Sequence, residues 1–421
     1  MLLGLPAFSV FAWIPMSCGF ARAPQLLRPA TARKCLETAA SARCTLGSAL
    51  EVMPERQWRA RAEAHRARVQ ELLAPGFLRT ARASEAQGAD GFWPLDPHNP
   101  IYNFLLRYYN IRGASGTRRL AKWSPGLGPQ GAPVLLEGAD MERDDVLYAR
   151  GLSEAPASAG AKGLIYSPAD MVARGNVSSF LWYREVLRVT RTNAPVLNCF
   201  GLHEWAMQYQ PEGAPDPPSR QYQDQLPLRV SQEVINAAVE RRGVRCTHVD
   251  ALRFFAPAAK PLNQHGDLSR KQQIALEQPA CVHASMDLLK IALKLAPLGA
   301  AETLADALQV AIAARRLDVA AAPYDASAFG LAPIPVETPA GRVQYRDAQI
   351  ELMEASAPVR DALLAQYSLL LDTYASESSG MSVSVPVPGA NWCDEHTCVE
   401  TVGGNCTAVA SHAHAQAVTN A

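Results

Sequence analysis

The sequence has no excess of charge of either sign. Lys and Arg total 40, and Asp and Glu also total 40. The balance persists between residues 51 and 376, because the basic first fifty residues and the acidic tail offset each other. Proteins that bind nucleic acid over a broad face are usually strongly basic. The composition therefore argues against a broad basic face, but it is compatible with a local basic groove.

Well-known catalytic and nucleotide-binding motifs are absent or lack their context. No G-x-G-x-x-G string opens a strand–helix unit, and neither a P-loop nor a G-x-S-x-G elbow occurs. These absences disfavour a dinucleotide-binding fold, a P-loop NTPase and an α/β-hydrolase. The H-E-x-x-H motif of many zinc enzymes is also absent, since His203-Glu204 is followed by Trp205, Ala206 and Met207.

A disulfide framework and a long apolar run are lacking too. Three of the nine cysteines lie in the first fifty residues, three in the tail, and three in the body, at Cys199, Cys246 and Cys281. Three widely spaced cysteines in a large chain do not make a disulfide scaffold, which favours a reducing compartment. The apolar stretch from Leu2 to Met16 is shorter than the ~20 residues of a membrane-spanning helix.

Residues 1–50 have the composition of a cleavable targeting leader. The apolar stretch is as long as a signal peptide and ends at small residues, and the following FARAPQLLRPATARK is rich in Arg and Ala. This order resembles the bipartite leaders of algae with secondary plastids. A plastid is therefore the expected location, with the mitochondrion or secretion as alternatives. Residues 377–421 are small, polar and aperiodic, which predicts a disordered tail.

Residues 51–376 are predicted to form a single, mainly α, multi-helix domain. Apolar periodicity and capping residues predict helices over 55–74, 101–110, 180–190, 198–210, 231–241, 281–296, 300–316 and 338–374. The last of these is expected to kink at Pro358. Few short strands are expected, the best candidates being 133–139 and 161–167, and the segment from 113 to 175 resembles a loop-rich insertion.

Three short segments of the body each bring a Cys, a His and a carboxylate close together. They are CFGLHEW at 199–205, CTHVD at 246–250 and EQPACVH at 277–283, the last followed by Asp287. Imidazoles exchange protons near neutral pH and are the commonest metal ligands. The pattern predicts one pocket shared by these segments, in which the catalytic candidates are His203, Glu204, Asp250 and Asp287.

Spacing adds geometry to this hypothesis. His283 and Asp287 share a helix face, so the carboxylate is suited to orient the imidazole. His203 and Glu204 diverge by about 100° on a helix, so only one of them points into a given site. A divalent metal ion is the cofactor that this set would bind, through His203, His248 and His283. Cys–His catalysis and purely structural roles for the histidines remain open.

Longer strings in the body resemble those of a known family. They are NFLLRYY, RRLAKWSPG, NCFGLHEWAM, RCTHVDALRFFAPAAKPLN, ALEQPACVHASMDLLKIALKLAP, AAPYD and PIPVETPAGRVQY. They are similar to a helical protein family frequent in actinobacteria, whose members are commonly labelled 3-methyladenine DNA glycosylase. The resemblance covers roughly residues 55–375.

This resemblance implies hydrolysis of the N-glycosidic bond to an alkylated purine in DNA. Such an enzyme flips the base out and stacks it between aromatic rings, while a carboxylate stabilises the cationic sugar. Glu204, Asp250 or Asp287 would supply the carboxylate. The substrate-binding candidates are Trp205, Tyr209, Arg253, Phe254 and Phe255.

The sequence thus leaves three functional hypotheses. The first is an enzyme that acts on a small molecule through the His/carboxylate pocket, with or without a metal. The second is the glycosylase, whose partner is alkylated DNA. The third is a non-catalytic helical binding protein. The identity of the substrate and the oligomeric state are not encoded in any of these patterns.

Overall fold

The computed structural model describes residues 50–78, 90–166, 172, 177–215, 226–241, 243–266 and 268–377. The predicted leader and tail fall outside these residues, apart from positions 50 and 377. All described residues belong to one unit, residues 49–421. Helices dominate this unit, which confirms the mainly α prediction.

The helices are α1 Glu55–Leu73, α2 Asn103–Arg107, α3 Gly113–Leu120, α4 Val177–Thr192, α5 Leu202–Met207, α6 Gln232–Glu240, α7 Val249–Leu252, α8 Gln273–Leu276, α9 Val282–Leu295, α10 Ala301–Ala321 and α11 Pro339–Glu377. Short 3₁₀ turns lie at Ala74–Gly76, Pro129–Gly131, Ala157–Ala159, Pro257–Leu262, Arg270–Gln272 and Ser327–Phe329. No helix in the described part of the chain is both long and apolar enough to cross a bilayer.

The helix predicted over 101–110 is much shorter in the structure. The Asn99 side chain accepts a hydrogen bond from the amide of Ile101 at 3.0 Å, which makes a turn before α2 begins. Asn110 adopts a left-handed φ of 54° and breaks the helical pattern after α2. The helix α11 continues through Pro358, where the sequence predicts a kink, and the neighbouring Val359 and Leu363 are buried.

Four short strands form a sheet in the order β1-β2-β4-β3. They are β1 Glu51–Met53, β2 Val134–Glu137, β3 Leu152–Glu154 and β4 Gly163–Tyr166. β1 runs parallel to β2, and the other two pairs are antiparallel. Both predicted strands are confirmed as β2 and β4, so the predicted insertion supplies three strands of this sheet. A small core beneath it includes the stacked rings of Trp58 and Trp123, 6.5 Å apart.

The main core is built where α9, α10 and α11 pack together. The buried Tyr367 hydroxyl on α11 donates to the carbonyl of Ile291 on α9 at 2.9 Å. The indole of Trp205 on α5 donates to the carbonyl of Ala321 at the end of α10 at 2.8 Å. These buried hydrogen bonds hold α9 against α11 and α5 against α10. Because α9 also packs on α10, the histidines of α5 and α9 come to lie next to one another.

Candidate functional site

The three histidine segments converge, as the sequence predicts. The ring of His283 on α9 lies between those of His203 on α5 and His248, which precedes α7. Its centroid is 4.5 Å from that of His203, with the rings inclined at 65°. It is 5.2 Å from that of His248, where the rings stack at 21°. The three imidazoles therefore form one continuous row.

At one end of this row a buried ionic network holds His203. The imidazole Nε2 lies 2.6 Å from Oδ1 of Asp318 on α10. The other oxygen of Asp318 accepts a hydrogen bond from Arg315. The same Arg315 nitrogen donates to Glu204 at 2.9 Å, and its Nε donates to the carbonyl of Pro100 at 3.0 Å. All four charged or titratable side chains are buried, so each depends on its partners for its ionised form.

The electrostatics of this network keep Asp318 ionised. Burial alone would raise the pKa of its carboxyl, but the nearby His203 and Arg315 outweigh that cost and hold the pKa well below its usual range. Glu204 differs, because burial raises its pKa despite Arg315. Asp318 is therefore the permanent anion of the pair.

A second network holds His248 at the other end of the row. Its Nε2 lies 3.5 Å from Oδ2 of Asp287. The Lys290 ammonium lies 3.8 Å from both Asp287 and Asp250, and Arg270 lies 3.4 Å from Asp250. The sequence suggests that Asp287 orients His283, one turn earlier on the same helix. In the structure Asp287 reaches His248 instead, because the neighbouring segment brings that imidazole over the carboxylate.

The imidazoles of His248 and His283 differ in basicity. Burial would lower the pKa of His248, but the negative charges of the nearby Asp287 and Glu277 carboxylates raise it overall. Burial lowers the pKa of His283 far below its usual value, and the neighbouring imidazoles lower it further. His283 is thus a neutral ring, which is the form that ligates metals.

A large cavity opens beside this row. Its volume is about 1480 Å³, and its described lining includes His248, His283, Glu204, Asp250 and Asp287. Ordinary small-molecule sites measure ~300–1000 Å³, so this cavity accommodates an extended ligand. His203 points away from it towards Asp318, while its neighbour Glu204 reaches the wall. This agrees with the predicted divergence of the two adjacent side chains.

The predicted substrate-binding residues divide into two groups. Arg253 and Phe254 line the cavity, with the guanidinium carbon 4.8 Å from the Phe254 ring centroid. Trp205, Tyr209 and Phe255 are instead buried in the main core. Trp205 is held by its bond to α10, and Tyr209 donates to Glu240 at 2.8 Å. Their placement removes them from the stacking role that the family resemblance implies.

Sequence reasoning missed Asp318, Arg315 and Lys290. Asp318 lies 115 residues from its partner His203, and no short motif links the two. One signal was present: Arg315 and Asp318 stand three residues apart in a helix rich in alanine and apolar residues. Two opposite charges on the buried face of such a helix require partners elsewhere.

Among the residues that the structure describes, two sets of side chains have donor atoms close enough for a metal ion. They are His203, His283 and Asp318, and His248, Asp250 and Asp287, with all donor atoms of each set within 4.8 Å of one another. Neither is the predicted set of three histidines. In the first set two carboxylates, Asp318 and Glu204, share one cation, Arg315. In the second set two carboxylates already meet two cations. The first set also contains the neutral ring of His283 and the ionised carboxylate of Asp318, which are the forms that ligate metals, so it is favoured.

The three body cysteines are unsuited to nucleophilic catalysis. All are free thiols, and Cys246 and Cys281 are buried. Burial raises the pKa of each thiol, and for Cys246 it reaches about 12. The thiolate is the nucleophilic form, so these side chains are unreactive near neutral pH. Cys–His catalysis is the weakest of the options left open by the sequence.

No family model, curated protein or solved structure matches the chain. The geometry and chemistry of the site therefore carry the functional assignment.

Proposed function

We propose that the chain is a metal-dependent enzyme that hydrolyses a small-molecule substrate in the cavity. The observation that carries the proposal is the convergence of His203, His283 and Asp318 from three helices, with donor atoms within 4.8 Å. Donors around a tetrahedral zinc ion lie about 3.4 Å apart, so side-chain shifts of about 1 Å would bring His283 closer and separate His203 from Asp318 enough to admit the ion. His283 also lines the cavity, which leaves a route from the ion to substrate.

The surroundings of the set support a catalytic ion. Catalytic zinc sites use three protein ligands and leave a further position open for water. Arg315 binds the second oxygen of Asp318, and such partners orient metal-binding carboxylates. A metal ion held by these residues would supply a water whose pKa is lowered to about 7. Residues of the chain would bind the substrate and transfer the protons.

Proton transfer is assigned to His248. Its ring stacks on that of the proposed ligand His283, and Asp287 lies behind it at 3.5 Å. A histidine backed by a carboxylate can take the proton of the attacking water and return it to the leaving group. The water oxygen then forms the new bond to substrate as the bond to the leaving group breaks. His248 starts and ends this cycle in the same protonation state.

The test is the metal content of the purified full-length protein. We expect about one bound ion per chain, measured by plasma mass spectrometry, and its loss in Asp318→Asn. The matched control is Asp361→Asn, which alters a surface carboxylate paired with Arg191 at 3.1 Å. Circular dichroism reports whether each variant folds. Since Asp318 is buried, titration of the chelator-treated wild-type protein with Zn²⁺, Mn²⁺ and Fe²⁺ provides a second measurement. The absence of binding in that titration rejects the proposal.

A second candidate is the N-glycosidic hydrolase that the family resemblance implies. The observation that favours it is the aromatic wall: Tyr108 and Phe254 pack edge to face, 5.9 Å apart, beside Arg253. Tyr108 is half exposed, as a ring that receives a flipped base would be. If this candidate is correct, the wild-type protein releases free base from alkylated DNA, and Asp250→Asn or Glu204→Gln abolishes that release. No base release by the wild-type protein would reject it.

A further inference from the structure

The wall of the cavity is cationic, although the chain as a whole is neutral. Nine Lys or Arg side chains and five Asp or Glu side chains line it. Near the histidines the charges are matched, because Arg270, Lys290 and Arg315 pair with Asp250, Asp287 and Glu204. The excess of positive charge therefore lies elsewhere along the wall.

Six further cations line the wall: Arg107 and Arg253 are two of them, and the other four lie around the ends of α3 and α9 and in the loop before β3. These four are Arg119, Lys122, Arg150 and Lys294, which we call the cationic end. Within the described part of the chain, none of these four has a carboxylate as an ion-pair partner. Two carboxylates of the same wall lie in the loop before β3: Asp144 is already bound by Arg59 at 2.7 Å, and the exposed Asp145 offsets one of the four positive charges. Unpaired cations that share a concave wall raise the local concentration of anions.

The backbone holds this end in a defined arrangement. The amide of Trp123 donates to the carbonyl of Val146 at 2.8 Å, and the amide of Tyr148 donates to the carbonyl of Trp123 at 3.2 Å. The segment with Arg119 and Lys122 is thereby tied to the loop with Arg150. The Tyr166 hydroxyl donates to the carbonyl of Tyr148 at 2.8 Å and secures that loop to the sheet.

The helix α9 links the cationic end to the histidines. His283, Asp287, Lys290 and Lys294 all line the cavity, so one face of this helix forms its floor. His283 and Lys294 are eleven residues apart, which corresponds to about 16 Å along the helix axis. A ligand that spans both ends must therefore be elongated.

We propose that the cationic end binds the phosphate groups of an elongated substrate whose reacting bond lies at His203, His283 and Asp318. The substrate class is thus an organic phosphate or diphosphate, and this statement rests on the proposed hydrolytic function. Four cations favour a ligand with at least two negative charges over a monocarboxylate. Tyr148 and Leu293 line the wall between the two ends and provide contacts for an apolar portion of the ligand.

The test is calorimetric binding of inorganic pyrophosphate to the full-length protein in the presence of chelator, which removes metal-mediated binding. The variant is the double substitution Arg150→Gln and Lys294→Gln. We expect its affinity to fall at least about tenfold, since charge-assisted bonds to phosphate are lost. The matched control replaces two exposed cations outside the cavity wall, Arg56→Gln and Lys260→Gln, and should bind as the wild-type protein does.

The outcomes separate this inference from the proposed function. Asp318→Asn should keep pyrophosphate affinity while losing the metal, and the cavity double variant should keep the metal while losing pyrophosphate. Equal binding by the wild-type protein and the double variant overturns the inference, as does no binding by the wild-type protein. Tighter binding of a twelve-nucleotide single strand than of pyrophosphate, with loss of that binding in the double variant, would overturn the inference. It would indicate that the ligand is a nucleic acid and not a small molecule.

Discussion

His248 and His283 stack with their ring centroids 5.2 Å apart, yet their surroundings shift their pKa values in opposite directions. Asp287 stabilises the protonated form of His248, whereas burial, together with the two neighbouring imidazoles, keeps His283 neutral. Neighbouring groups with opposite shifts are a recurrent feature of sites that divide ligand and proton-transfer roles between similar side chains.

The first prediction concerns the choice between the two candidate metal sets. Asp250→Asn and Asp287→Asn should leave the affinity for Zn²⁺ within about threefold of the wild-type value, because Lys290 and Arg270 already compensate those carboxylates. Loss of Asp318, a direct ligand, should cost at least about 100-fold. Competition with a chromogenic chelator measures all three affinities. A larger loss in Asp250→Asn than in Asp318→Asn would assign the ion to the other set.

The second prediction concerns Arg315. Its replacement by Met leaves Asp318 and Glu204 buried without their cation, which should lower the free energy of unfolding by about 3–5 kcal/mol. Adding Asp318→Asn to that variant removes one of the stranded charges, so the double variant should be more stable than the sum of the single effects indicates. Urea denaturation monitored by circular dichroism provides the comparison. Strict additivity would contradict the buried network.

The third prediction is a pH dependence of stability at Asp144, which belongs to neither candidate metal set. Burial would raise the pKa of Asp144, but hydrogen bonds from Arg59 and the amide of Asp140 lower it overall. Because the folded-state pKa lies below the unfolded value, Asp144 stabilises the fold above pH ~4 and loses this effect as the pH falls through the folded-state pKa. Asp144→Asn should cost about 1–2 kcal/mol at pH 7, discounted because Arg59 is partly exposed.

The measurement for Asp144 is the difference in unfolding free energy between the wild-type protein and Asp144→Asn, followed from pH 7 to pH 3. This difference should shrink as the solution becomes more acidic. Asp347→Asn, at an exposed carboxylate paired with its neighbour Arg346, is the control and should change stability little. A difference that stays constant over this range would mean that Asp144 does not titrate as described.

The fourth prediction uses two adjacent rings. Phe255 is 1% exposed in the main core, whereas Phe254 lines the cavity. Phe255→Ala should destabilise the protein by about 3–5 kcal/mol because it leaves a cavity in the core. Phe254→Ala should cost about 1 kcal/mol or less, and its main effect should be on ligand binding. Thermal and urea unfolding of the two variants decide this, and equal destabilisation would place both rings in the core.

Much of the helical fold could be predicted from local patterns. α1 has buried residues Trp58, Ala62, His65, Val69 and Leu73 on one face and ends where Pro75-Gly76 follows, all of which is visible in the sequence. The helix around α2 is shorter than its apolar pattern predicts, although the Asn99 side chain does accept a hydrogen bond from the amide of Ile101, as a capping residue does. Turn chemistry of a single side chain decides such cases.

The candidate site was predictable only in part. The convergence of three Cys/His segments follows from local clustering of rare side chains, and the structure confirms it. The partners of those side chains do not follow from spacing, because they come from other helices: Asp318 reaches His203 across 115 residues, and Asp287 serves His248 in preference to His283. The division of two adjacent rings between core and cavity likewise depends on tertiary packing.

The helix α9 carries His283 near its first turn and Lys294 in its last. Because a helix is rigid, the distance between these two residues is fixed. The protein would therefore prefer ligands whose length matches that distance. Compounds one helical turn too short would reach only one end, and a deletion of four residues within α9 would shift that preference towards shorter molecules. Selectivity for ligand length would then be a property of one secondary-structure element.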